Sequence, residues 1–340
     1  MDTKHHILFA LNETINRNKS RPGGGGNIFE YHFDPRTGQP ESVSVIPTLC
    51  PNPSYLSLSA DGRYMIVANH GSKNYITKIA KDIDGKYFAD VQFDDSLVEL
   101  FRMKEDGCVG ELVDFKKHLG SGPSGARQFN SHPHSVVRSP SGKLFAVCDK
   151  GSDQIYMYQI DYEKEKLVLC NEPLRAIAGS MPRYCAFHPK RPYFYNNSEG
   201  TTDVYAYKYD EDGKLYPIGV YQALKEKTSY DGKPSEQQGF CVHPSGKYLY
   251  DVINGLNSVS VFSVHPTDGS LTLLQNMNIE YQWARGGMLS PDGRFYIVSC
   301  LKGDRILVFR VGYTGKLIPT GFEYEQYSPA YITFWNTGKN

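Results

Sequence analysis

The stretch Arg285-Gly286-Gly287-Met288-Leu289-Ser290-Pro291-Asp292-Gly293-Arg294 decides how this chain folds. A short apolar strand runs into Ser-Pro, an Asp-Gly turn follows, and a basic residue opens a second apolar strand. Gly and Pro are the punctuation such a hairpin needs. The same unit stands at Pro53-Ser54-Tyr55-Leu56-Ser57-Leu58-Ser59-Ala60-Asp61-Gly62-Arg63-Tyr64 and at His134-Ser135-Val136-Val137-Arg138-Ser139-Pro140-Ser141-Gly142-Lys143. It recurs at Arg183-Tyr184-Cys185-Ala186-Phe187-His188-Pro189 and Gly239-Phe240-Cys241-Val242-His243-Pro244-Ser245-Gly246-Lys247. A further strand of alternating apolar residues follows each hairpin, as in Ile306-Leu307-Val308-Phe309, and tails such as Asp210-Glu211-Asp212-Gly213-Lys214-Leu215 turn into the next. Four strands in about 45–50 residues is the signature of a β-propeller blade. The expected fold is all-β, one domain over residues 1–340 made of four-stranded antiparallel blades.

Equivalent positions test the count. Ser54, His134, Arg183, Gln238, Arg285 and Ala330 stand just before successive inner strands, at intervals of 80, 49, 55, 47 and 45 residues. The last four intervals fit one blade each. The first is too long for one blade and too short for two. Residues 73–95 within it hold their own turn, Asp84-Gly85-Lys86-Tyr87, and read as an insertion or a degenerate blade. Strands over Leu317–Glu325 and Pro329–Trp335 lack two outer partners, which His6–Asn12 and Asn27–Phe33 are placed to supply. Closure of the ring by N- and C-terminal strands would remove exposed sheet edges.

Thirty-seven Lys+Arg balance 37 Asp+Glu in the 340 residues. That balance argues against nucleic acid and against a polybasic membrane surface as partners. No apolar run approaches the roughly 18 residues of a spanning helix. Ile7-Leu8-Phe9-Ala10-Leu11 is too short for the apolar region of a signal peptide and reads as a strand. The seven cysteines are scattered with no C-x-x-C pair, so they read as reduced core residues of a cytoplasmic protein. The 25 Tyr and 17 Phe suit half-buried strands.

In a propeller the starts of the inner strands converge on one mouth of the axial channel. His134, Arg183 and Arg285 share that phase, and packing does not require them there. Glu199, in Asn196-Asn197-Ser198-Glu199-Gly200, ends the second strand of Arg183's blade and reaches the same mouth. His132-Pro133-His134 could seat a metal, but no third ligand and no H-E-x-x-H motif accompanies it, so no metal or other cofactor is expected. Gly23-Gly24-Gly25-Gly26 lacks the G-K-[ST] of a phosphate loop, and no G-x-S-x-G elbow marks a serine hydrolase.

Taken in order, Asn52-Pro53-Ser54-Tyr55-Leu56, Val67-Ala68-Asn69-His70-Gly71, Gln128 with His132-Pro133-His134-Ser135-Val136, and Pro182-Arg183 with Phe187-His188-Pro189 resemble the lactonase family of β-propellers. That family includes propeller-type 6-phosphogluconolactonases and fungal carboxy-cis,cis-muconate cyclase. The resemblance implies a seven-bladed ring and a polar, metal-free pocket, with active residues at His134, Arg183 and Glu199. This chain departs from the pattern at Cys241, where relatives often carry histidine, and at Asn254, where they carry arginine. Arg285 is the candidate replacement cation.

The reaction this implies is hydrolysis of an anionic sugar lactone, with 6-phosphoglucono-1,5-lactone as the lead substrate. His134 or Glu199 would be the base, Arg183 would face the oxyanion, and Arg285, His132, Gln128 and Asn254 would bind substrate. The alternatives are a muconate-type lactonising cycloisomerase and a non-catalytic binding platform. Convergence of the four ionisable residues in one pocket favours an enzyme over the platform. A monomer or weak homodimer is expected.

Overall fold

The computed structural model describes residues 6–14, 24–34, 36–72, 75–93, 95–225 and 235–332. Five four-stranded antiparallel blades follow one another along the chain. Blade one is Pro53–Leu58, Tyr64–Asn69, Leu97–Met103 and Val109–Lys117. Blade two is Pro133–Arg138, Phe145–Asp149, Gln154–Asp161 and Lys166–Leu169, with the short strand Leu174–Arg175 also pairing its third strand. Blade three runs from Pro182–Phe187 to Leu215–Gln222, blade four from Glu236–Val242 to Leu271–Asn278, and blade five from Ala284–Leu289 to Leu317–Glu325. The sixth sheet is Ile7–Thr14, Gly24–Phe33 and Pro40–Pro47.

The hairpin signature owes its recurrence to one turn chemistry. In Ser-x-Asp-Gly-Arg the serine hydroxyl donates to the aspartate (Ser59 to Asp61, 2.6 Å; Ser290 to Asp292, 2.6 Å) and accepts the N–H that starts the next strand. The glycine takes the left-handed backbone the turn needs, with φ 72° at Gly62 and 71° at Gly293. Where the serine is absent, His188 and His243 accept the turn N–H groups on Nδ1.

Alternating apolar residues then bury both faces of each blade against its neighbours. One cluster joins Ile66 and Leu100 of blade one to Val136, Phe145 and Val147 of blade two. Equivalent clusters join blades two and three, three and four, and four and five. Ile7, Phe9 and Ile28 of the sixth sheet pack on Met65, Val67 and Phe101 of blade one.

Six blade sheets are therefore present among the described residues, matching the six countable in the sequence. The 80-residue interval is a single blade with a hairpin, Tyr75–Lys81 and Tyr87–Phe93, inserted between its second and third strands; residues 73–95 are an insertion, not a blade. Leu317–Glu325 also differs from expectation. It is the outer strand of blade five, because the 45 residues from Arg285 to Ala330 already complete that blade, so it takes no N-terminal partner. Pro329–Trp335 lies outside the described residues beyond Ile332. Its described part sits between the first and last blades: Tyr331 meets the Tyr55 ring edge-on at 6.3 Å, and a Cβ on Gly286 would lie 3.2 Å from the Tyr331 Cα. That is the place of an inner strand for the sixth sheet.

The inserted hairpin pairs only with itself, and Ile79, Ile83 and Tyr87 are exposed. Its stems leave from adjacent points, since a Cβ on Gly71 would lie 2.9 Å from the Asp95 carbonyl oxygen. Replacing residues 73–94 by a two-residue turn is expected to leave the far-UV circular dichroism and the unfolding midpoint within a few degrees of the parent. A collapse of the midpoint would show that the hairpin is part of the ring.

Candidate active site

Every inner strand of blades one to five carries a register break at the repeat position noted in the sequence. In blade two Pro133 pairs Asp149 and Ser135 pairs Cys148, leaving His134 as the extra residue. In blade five Ala284 pairs Cys300 and Gly286 pairs Ser299, leaving Arg285. The same break frees Ser54 in blade one, Arg183-Tyr184 in blade three and Gln238-Gly239 in blade four. A bulge releases a side chain from the alternation of the ladder and re-aims it. Repeated round the ring, it points one side chain per blade at the mouth.

Three of the sequence candidates meet there. Arg183 Nε donates to His134 Nε2 at 3.2 Å, its Nη1 donates to the Gln237 carbonyl at 3.0 Å, and Nη1 lies 3.3 Å from Glu199 Oε2. All three are buried, at 2% exposure for His134, 5% for Arg183 and 6% for Glu199. They form an under-layer, and other residues line the surface above it. Lys150 donates to both Glu199 oxygens (3.0 and 3.3 Å), and Arg127 Nη2 bridges Glu199 at 2.7 Å and Glu236 at 3.0 Å. The His70 ring lies parallel to that of His134, centroids 5.4 Å apart, and Tyr184 meets His134 edge-on at 5.0 Å. Arg285, half-buried, is close enough that its charge acts on His134.

His132 and Gln128 stand behind the mouth. His132 donates from Nδ1 to the His70 carbonyl at 2.5 Å, and its own N–H is held by Asp149 at 2.7 Å. Gln128 donates to the Lys150 carbonyl at 2.8 Å and accepts from Ser124 N–H at 3.2 Å. Both brace the segments that carry His70 and Lys150, where substrate contact had been expected. Asn254 caps its own turn, accepting from Gly255 N–H at 2.7 Å, opposite Glu236 in the ladder. Cys241 lies lower in the channel, in a cavity of about 440 Å³ that opens at the other mouth beside Cys185 and Tyr331.

The electrostatics follow from this layering. Burial alone would raise the Glu199 pKa, but Lys150, Arg183 and Arg127 outweigh it and hold the carboxyl well below the carboxylate range. It is an anion clamped by three cations, a poor proton acceptor. Burial, then Arg183, Lys150, His70 and Arg285, push His134 well below the usual imidazole value, so its ring is neutral. Because Arg183 Nε–H points at His134 Nε2, the proton of that neutral ring sits on Nδ1. Burial and then Lys150, His132 and Arg183 likewise depress His70, against a smaller opposing effect of Glu199. Burial also lowers Lys150, which Glu199 partly offsets. Deeper in the channel, burial raises Asp251 to about 8 despite hydrogen bonds from Asn197 and Gln237.

His70, Arg127, Lys150, Tyr184 and Glu236 were not candidates from the sequence. For two of them a signal was present. Asn69-His70-Gly71 and Asp149-Lys150-Gly151 end the second strands of their blades as Ser198-Glu199-Gly200 does, so all three share a second repeat position.

The profile described as "Lactonase, 7-bladed beta-propeller" matches residues 1–334. The chain belongs to the lactonase family of β-propellers. The enzyme class expected from the sequence, a lactonase, rests on that membership. This member holds six blade sheets among its described residues in a family described by seven. It is 26% identical over 316 residues to the 6-phosphogluconolactonase of Bacillus subtilis, covering 92% of this chain and 81% of the relative. It is also 26% identical over 331 residues to the 6-phosphogluconolactonase of Formosa agariphila, covering 87% and 91%. Among solved structures, the periplasmic gluconolactonase of Pseudomonas aeruginosa superposes with a TM-score of 0.84 at 25% identity, covering 98% of this chain and 86% of that one.

Proposed function

We propose that the lactonase hydrolyses an anionic sugar lactone at this mouth, with 6-phosphoglucono-1,5-lactone as the preferred substrate. The observation that carries the reading is the convergence of Arg127, Lys150 and Arg183 on Glu199, with Arg127 also on Glu236 and Arg285 near enough for its charge to act on His134: four cations against two carboxylates. The excess positive charge suits an anionic substrate and the oxyanion that forms when water attacks an ester carbonyl. Lys150 has donors beyond those Glu199 takes and sits at the surface of the cluster, so it faces the carbonyl oxygen; Arg285 takes the phosphate, whose geometry suits a guanidinium fork. Convergence of these groups supports an enzyme over a binding platform. The seven free cysteines support a reducing compartment such as the cytoplasm.

The test follows loss of fresh 6-phosphogluconolactone and of glucono-1,5-lactone by NMR, each against its spontaneous rate. The enzyme is expected to accelerate both and to prefer the phosphorylated lactone. Arg285→Met should lower kcat/KM for that lactone roughly 10–100-fold, the worth of a charge-assisted hydrogen bond, and leave the neutral lactone little changed. Equal loss on both substrates would remove Arg285 from phosphate binding. Acceleration of neither would remove the function.

A further inference from the structure

We propose that His70 is the general base that activates the attacking water. The assignment rests on the lactonase reading and is reached by asking which group at the mouth has a lone pair to offer. Glu199 is clamped by Arg127, Lys150 and Arg183. The one lone pair of neutral His134 faces the Arg183 Nε–H, and its Nδ1 is buried away from the mouth surface. His132 is buried, with Nδ1 on the His70 carbonyl. Glu236 accepts from Arg127. His70 is different. Its backbone is fixed at both ends, its N–H donating to the Asn52 carbonyl at 3.0 Å and its C=O accepting from His132, while the residue as a whole is only half-buried. The ring is held parallel to that of His134, and neither of its nitrogens is a buried atom without a partner, as His134 Nδ1 and His132 Nε2 are.

The groups facing His70 come from two blades. They are His132, His134 and Lys150 of blade two and its entry, and Arg183 and Glu199 of blade three. Burial first, and then these cations, keep the imidazole neutral, the state a base needs.

The step balances without any co-reactant. The water oxygen bonds to the lactone carbonyl carbon as His70 takes one water proton, and the carbonyl electron pair moves to the oxygen facing Lys150. The tetrahedral intermediate then breaks its ring C–O bond. The imidazolium returns its proton to the departing alkoxide, giving the open-chain acid and neutral His70.

The rising limb of kcat/KM against pH reports the free base. Its midpoint is expected below 6.5, the ordinary histidine value, because the shift is downward; activity is lost as pH falls through it. His70→Gln should reduce kcat roughly 10²–10⁴-fold and abolish that limb. It should leave KM, the affinity for 6-phosphogluconate and the unfolding midpoint near those of the parent. His134→Gln should keep the limb. In the wild type, ¹⁵N NMR of the histidine rings should show His70 titrating at the kinetic midpoint, a reading independent of whether a variant folds. A limb that survives in His70→Gln, or that coincides with another histidine's titration, overturns the assignment while the lactonase reading stands. A wild type that accelerates no lactone overturns both.

Discussion

Replacing Glu199 by glutamine is expected to lower folding stability by about 3–5 kcal/mol, the usual consequence of removing one partner from a buried ion pair. The loss falls mainly on Arg183. Arg127 retains Glu236, and both Arg127 and Lys150 reach solvent, but the Arg183 side chain is only 6% exposed. Urea unfolding at constant pH measures it, and inorganic phosphate should return part of the loss by binding where the carboxylate stood. The pH dependence has a definite sign. Glu199 titrates lower in the folded chain than unfolded, so its contribution is full above the unfolded carboxylate value and disappears as pH falls through the folded one. The variant should lack that acid limb. A variant as stable as its parent would mean that the three cations are satisfied without Glu199.

Gly287→Val should be nearly as damaging, for a steric reason. The inner strand of blade five is hemmed in by its own second strand and by the second strand of blade four, so that a Cβ on Gly287 would overlap the Tyr296 hydroxyl and lie 2.5 Å from Val252 Cγ2. Tyr296 and Val252 are fully buried, so neither can move aside. Overpacking of this kind costs about 1–3 kcal/mol even where some relaxation is open. The value here should lie at the top of that range. Arg285 is two residues away on the same strand, so the displaced backbone should also weaken phosphorylated substrate more than neutral lactone. Thermal unfolding together with KM for the two lactones checks both parts. Unchanged stability would show that the inner strand of blade five can move away from these neighbours.

The ring and part of the site were legible because they repeat. Ser-x-Asp-Gly-Arg turns recur because each solves the same hydrogen-bonding problem, so their spacing exposed the blades and flagged the 80-residue interval as anomalous. The positions of His134, Arg183 and Arg285 were legible for the same reason. What the sequence did not show were facts created between blades. Arg127 sits outside any repeat, on the connection from blade one to blade two, and reaches Glu199 across 72 residues of chain. The tautomer of His134 depends on a guanidinium 49 residues away. Glu199 looks like a base until its three partners are counted. His132 and Gln128 entered as substrate ligands through the family resemblance; that their side chains also bond backbone at His70, Lys150 and Ser124 is a further fact made between segments.

The bulges on the inner strands carry a consequence for how such an enzyme can change its preferences. A residue that interrupts a ladder contributes little to its register, so it can be exchanged without re-pairing the strands around it. Positions 54, 134, 183, 238 and 285 act as sockets of that kind. Two of them hold the uncharged residues Ser54 and Gln238. A cation or carboxylate introduced at the half-buried Ser54 would alter the charge of the mouth, whereas at the buried Gln238 it would also carry a desolvation cost. Substrate choice and architecture are thus most nearly separable at Ser54 and Arg285, the two half-buried sockets, whereas Arg183 is tied to the fold through Glu199.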